Sequence, residues 1–152
     1  MEYFDQHTLS IFGRLLLAAV LGIIIGIERE LAHKSAGMRT HSFVALGSAL
    51  FSIISMSFSS PTVDPTRIAA QIVTGIGFLG AGIIIFHDSR VQGLTTAAGI
   101  WVAAAIGMAI GFGFLKIALF TAALTVFIFV VVWPIEQRFV KKFAKNERKD
   151  LD

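Results

Sequence analysis

The chain has 152 residues, of which 55% are hydrophobic and 15% charged, with a formal net charge of +3 and a mean hydropathy of +0.78. A soluble domain carries about 25% charged residues, so this composition excludes an ordinary water-soluble globule. The absence of cysteine excludes a disulfide framework, a thiolate metal site and a Cys nucleophile.

The charges are segregated from apolar runs close to the ~20 residues that cross a bilayer. This predicts an all-α, polytopic membrane protein with about five transmembrane helices, over residues 9–27, 40–58, 67–86, 94–110 and 117–135. The lipid bilayer is therefore the first partner. The basic excess falls in loops and tail, where topology accounts for it, and no nucleic acid is implied.

The first span follows the acidic stretch MEYFDQH. It has no basic n-region and no small-residue cleavage site, so it is expected to be retained rather than removed as a signal peptide. Arg14 lies about five residues inside it, where a charge costs ~2.5–3.5 kcal/mol unless it snorkels or pairs. Both escapes are open, and Asp64 is the expected partner. Ala18, Gly22 and Gly26 then form a small-residue face.

GIERELAHKSAGMRTH connects the first span to the second. Glu28 and Glu30 at a helix C-terminus oppose the macrodipole, as does Arg39 at the start of the next helix. The carboxylates are expected to pair with Arg39 or Arg90 in a membrane-edge belt, or to bind something. The second span carries Ser48, Ser52, Ser55 and Ser59 in register with His41, all within about 60° of arc at helical spacing. The preferred reading has each hydroxyl bonded to the i−4 carbonyl or to a neighbouring helix. The alternative is a face lining a polar crevice.

Asp64 is a predicted N-cap for the third span, with Pro65 as its first residue. Arg67 and Gln71 share a face there, so Arg14, Asp64, Arg67 and Gln71 form an expected outer polar cluster. Gly75, Gly77, Gly80 and Gly82 in the same span are expected to pack rather than to line a channel. HDSRVQG, with Asp88 and Arg90, makes the third break. The fourth span sets Gly99, Ala103, Gly107 and Gly111 at successive i+4 positions, the spacing that lets helices approach closely in lipid. Such a face packs within a subunit or between two, and Gly99, Ala103 and Gly107 are also the predicted dimer seam of a homo-oligomer. GFGFLK forms the fourth break, because a single helix of about 40 residues is too long for one crossing.

Residues 1–135 thus make one transmembrane domain, and 136–152 a basic tail. In the tail Ile135, Phe139 and Phe143 recur at four-residue spacing among lysines, suiting either an interfacial helix or a solvated anchor. The first loop, third loop and tail hold Arg29, Lys34, Arg39, Arg90, Arg138, Lys141, Lys142, Lys145, Arg148 and Lys149. The opposite side has Arg67 and Lys116, so the N-terminus is expected outside and the C-terminus inside.

Metal and catalytic chemistry find little footing. Mg²⁺ takes oxygen ligands in near-octahedral geometry, yet no acidic residue falls at mid-membrane. His7, His33, His41 and His87 lack ligand spacing, and the glycine run of the third span lacks the Lys-Ser/Thr ending of a phosphate loop. No metal site, cofactor or enzymatic activity is expected.

GIERE, AGMRTHSFVALGSALF, DPTRIAAQIVTGIGFLGAGIII and GLTTAAGIWVAAAIGMAIGFG, in that order, resemble the MgtC/SapB family of bacterial inner-membrane proteins. The resemblance runs from about Arg14 to Gly113. It implies a multi-pass inner-membrane domain with the N-terminus outside, and a link to growth under low Mg²⁺ and to survival of pathogens inside host cells. It also implies restraint of another membrane protein, the F-type ATP synthase, as an alternative to Mg²⁺-associated transport. The family's polar signature falls on Glu28, Arg29, Glu30, Arg39, Thr40, Asp64, Arg67, Gly93 and Thr95. With His41, Asp88 and Arg90, the members of this set on the basic side make up the expected inner polar cluster. Two departures stand out. Many members add a cytosolic ACT-like domain, not expected in this chain, and some virulence-associated members have Asn at the position of Thr95.

Overall fold

The computed structural model describes residues 5–58, 64, 66–87, 90–136 and 138. Five helices are long and apolar enough to cross a membrane. They are α1 (Gln6–Leu31), α2 (Met38–Ser57), α3 (Thr66–Ile83), α4 (Leu94–Gly111) and α5 (Leu115–Phe127). The last continues through a π-helical turn, Ile128–Val132, so that the whole span is Leu115–Glu136. The tail beyond residue 138, Ser59 and Asp88 lie outside the described residues, as does the side chain of Arg90.

The helix ends have local causes. α1 stops in a Schellman motif: the His33 N–H donates to the Glu30 carbonyl at 3.0 Å and the Lys34 N–H to the Arg29 carbonyl at 2.9 Å. His33 takes the left-handed conformation that closes the motif, at φ 54°. α4 ends the same way, with Gly113 donating to Ile110 at 3.0 Å and Phe114 to Ala109 at 2.8 Å. There Gly113 supplies the positive φ of 87°. This is the physical origin of the fourth break.

α3 is shorter than the expected third span. It ends at Ile83, and the β-branched and aromatic residues that follow form an antiparallel hairpin, β1 (Ile85–His87) with β2 (Arg90–Gln92). Ile85 pairs with Gln92 and Phe86 with Val91, a pairing that suits this residue type better than continued helix. Gly93 then opens α4 at φ 88°.

α2 and α4 form the centre of the bundle. α4 is the most enclosed span and α3 the least. Small residues set the close approaches. A Cβ on Gly22 would lie 2.6 Å from the His41 carbonyl oxygen, so α1 rests directly on the α2 backbone. Gly107 and Gly111 do the same for α4, against Ala45 and Ala49 of α2. One apolar cluster joins α1, α2, α4 and α5 through Ile25, Ala45, Ile106 and Phe129. A second joins α2, α3 and α4 through Val44, Ile72, Ile100 and Ala103.

This packing corrects the expected dimer seam. Gly99, Ala103, Gly107 and Gly111 are all buried within the subunit, because α2 and Phe129 already occupy that face. The glycines of α3 behave differently. Gly80 meets Ala97 of α4 at 3.7 Å, whereas Gly75, Gly77 and Gly82 have nothing within 4 Å. Neighbouring Phe78 is 81% exposed. α3 thus leaves small residues uncovered, with Gly75 and Gly82 on one flank and Gly77 on the other.

Candidate functional site

The end of the bundle that carries the first loop contains its buried polar centre. Arg29 is 3% exposed, although it belongs to the last turns of α1. Its Nε donates to Oε2 of Glu28, the one ion pair among the described residues. Its Cζ sits 3.8 Å from the centroid of the Phe129 ring. A desolvated cation over an aromatic face contributes about 2 kcal/mol, and here the contact clasps α1 to the π-helical turn of α5.

His41 lies directly beneath, fully buried. Its Nδ1 is 3.0 Å from the Gly37 carbonyl, and a carbonyl only accepts, so Nδ1 carries the proton. In the neutral ring Nε2 is then an acceptor. This nitrogen is sealed from solvent and has no hydrogen-bond partner among the described residues. A Cβ on Gly99 would fall 3.4 Å from this nitrogen and 2.8 Å from the Phe129 ring. Glycine at position 99 therefore makes room for both the Phe129 ring and the His41 imidazole.

Glu30 makes no ion pair with Arg39, and the side chain of Arg90, its other expected partner, lies outside the described residues. Glu30 Oε2 accepts from the backbone N–H of Met38 at 3.2 Å, a free donor at the start of α2. The carboxylate that opposes the dipole of α1 complements the dipole of α2. Gly37 leaves room for it, since a Cβ there would displace the Glu30 carboxylate from the Met38 N–H. Arg39 is exposed and Thr40 partly so. Arg39 makes no ion pair among the described residues.

A cavity of about 180 Å³ opens next to Arg29, between the end of α1, the start of α4 and the end of α5. Lys34, Thr95, Thr96, Trp133 and Glu136 contribute to its lining. Of the lining residues, Lys34, Thr96, Phe129, Trp133 and Glu136 are not assigned to a site by the sequence. Thr96 is legible only as a neighbour of Thr95 in GLTTAAG, and Phe129 carries no sequence signal at all.

At the opposite end the expected outer cluster is divided. Arg14 Nη1 donates to the Gly111 carbonyl at 3.3 Å, so Arg14 caps α4 at the negative end of its dipole instead of pairing with Asp64. It borders a cavity of about 490 Å³ with His7, Ser10 and Ser57. Asp64, Arg67 and Gln71 line a separate one of about 520 Å³. Asp64 caps α3 as expected, its Oδ1 accepting from the Thr66 N–H at 2.8 Å and the Thr66 hydroxyl at 2.7 Å. Those two hydrogen bonds hold its carboxyl below the ordinary carboxylate value.

The serine face is not a continuous track. Ser52 is fully buried and its hydroxyl donates to the Ser48 carbonyl at 2.8 Å, the i−4 bond expected of it. Gly111 of α4 presses on it from the other side. Ser48 touches the floor of an apolar groove of about 410 Å³ between α2 and α3, and Ser55 borders the Asp64 cavity. Ser52 lines neither of these cavities, which adjoin instead along α3, where Ile68 and Gln71 border both. No group of three metal-ligating side chains occurs among the described residues.

The fold and this site define a multi-pass α-helical membrane protein with a buried charged centre at one end. The MgtC family model matches residues 15–138, and the chain belongs to that family. "Putative magnesium transporter YhiD" of Escherichia coli K12 is 44% identical over 136 residues, covering 85% of this chain and 63% of the relative. Protein MgtC of Brucella abortus is 50% identical over 114 residues, covering 75% and 46%. An uncharacterized protein of Haemophilus influenzae is 38% identical over 154 residues, covering 95% and 64%. The chain thus spans about half to two thirds of these relatives. No solved structure matches it.

Proposed function

We propose that this chain is a non-enzymatic regulatory protein of the bacterial inner membrane, with its N-terminus outside and its C-terminus in the cytoplasm. It acts in adaptation to low Mg²⁺ by contacting another membrane protein, for which family resemblance offers the F-type ATP synthase. Copies of the chain associate through α3, where small residues stay uncovered and a neighbouring helix can approach closely.

The observation that carries this reading over transport is Ser52. It is enclosed between α2 and α4 with its hydroxyl bonded to its own helix, which favours a packed serine face over one lining a crevice. Mg²⁺ sheds its water reluctantly, and mid-membrane carboxylates are lacking in the sequence. The second reading, a Mg²⁺-associated transporter, is favoured by the printed name of the Escherichia coli relative and by the cavities at the outer end.

Purified protein in liposomes loaded with a Mg²⁺-sensitive dye separates the two. Regulation predicts no saturable influx. Influx that disappears in both Ser52→Leu and Glu28→Gln would establish transport instead.

A further inference from the structure

The small cavity beside Arg29 is built from groups that share one preference. α4 begins at Gly93, which has no side-chain cap, and the first N–H groups of an 18-residue helix need an acceptor from outside it. Helix N-termini of this kind favour anions. Two buried polar side chains line the same cavity. Arg29 uses its Nε for Glu28, and its Nη groups make no hydrogen bond among the described residues. Thr96 is 3% exposed, yet its hydroxyl makes no hydrogen bond among the described residues either. Lys34 adds a second cation at the mouth. The other wall is apolar, formed by Ile128, Val132 and Trp133, with the amphipathic indole suited to the headgroup level of a bilayer.

We propose that this cavity binds a phosphate group, with the oxygens taken by the Arg29 guanidinium, the Thr96 hydroxyl and the backbone N–H groups opening α4. Guanidinium and helix N-terminus both match phosphate geometry. The volume of about 180 Å³ admits the headgroup but not a nucleotide base beside it. Glu28 does not compete, because it occupies the Nε edge of Arg29. Glu136 does: it is the carboxylate in the lining, it is exposed, and it weakens anion binding by repulsion. The group has two sources, an anionic phospholipid at the membrane edge or free phosphate from the aqueous phase. The site stands whether the chain regulates or transports.

Trp133 reports on the cavity once Trp101, the other tryptophan of the chain, is replaced by Phe. The full chain in neutral detergent is titrated with phosphatidylglycerol, with diacylglycerol of the same acyl chains as control, and separately with inorganic phosphate. A saturable change in Trp133 emission is expected, weakened about tenfold by Thr96→Val, the loss of one charge-assisted hydrogen bond. Glu136→Gln is expected to tighten binding several-fold. Arg29→Gln removes the clasp to Phe129 as well and can unfold the end of the bundle, so the Thr96 and Glu136 variants decide. A response to phosphatidylglycerol alone assigns the headgroup, and a response to inorganic phosphate that competes with lipid assigns the free ion. An equal response to diacylglycerol, no saturable response, or affinity unchanged in both variants overturns the site.

Discussion

His33 holds a left-handed conformation at the end of α1, where glycine is the usual choice. The Cβ penalty there is about 1–2 kcal/mol, partly offset by the extra unfolded-state freedom of glycine. His33→Gly is therefore expected to stabilise the protein by about 0.5–1 kcal/mol, read from its unfolding in denaturing detergent. A loss of stability would mean that the histidine ring makes a contact of its own. Asp64 offers a pH test. Its carboxyl is held below the ordinary value by the Thr66 N–H and hydroxyl, so the capping contribution is present above the unfolded pKa of about 3.9 and is lost as pH falls through the lower folded value. Amide exchange in the first turn of α3 should quicken only in that acidic window. Asp64→Ala should quicken it at neutral pH, and Asp64→Asn should not. The cap was legible in DPTR, since Asp ahead of a Pro at the helix start is a local signal. Glu30 was legible only halfway. The dipole argument shows that it cannot serve α1, but its true partner, the Met38 N–H, depends on how tightly the Schellman turn folds α2 back.

Between elements, glycine decides what can touch. The i+4 glycines of α4 were legible as a packing face, but spacing alone does not say whether the other helix belongs to the same chain. The answer is α2, whose Ala45 and Ala49 provide the matching small surface. Gly107→Leu should consequently destabilise the subunit itself, by about 1–3 kcal/mol or more, while leaving association of the folded fraction unchanged. The α3 face makes the complementary prediction. Because the chain has no cysteine, Gly77→Cys introduces a single thiol, and oxidation in membranes is expected to yield a crosslinked dimer. Ala103→Cys, buried against α2 and α3, should yield none. The reverse pattern would return the seam to α4. The hairpin after α3 was missed because Ile83, Ile84, Ile85 and Phe86 are as apolar as the span they follow, and hydropathy does not distinguish a strand from the last turn of a helix.

For the whole molecule, the number of spans and their order were legible because hydrocarbon permits so few backbone solutions. The candidate site was less so. Arg29 was visible as a charge among Glu28, Glu30 and Lys34, but its burial depends on Phe129, a hundred residues away in sequence and indistinguishable there from any lipid-facing aromatic. The serine face shows the opposite lesson: its register was right, and its meaning depended on the depth to which α4 sinks onto α2. The central claim is that this face is closed. Ser52→Cys in the cysteine-free chain, treated in intact membranes with a membrane-impermeant maleimide from either side, tests it directly. Ser52→Cys is expected to stay unlabelled until the protein is unfolded, with Asp5→Cys labelled at once as a control. Labelling of folded Ser52→Cys would place water at mid-membrane and contradict the account.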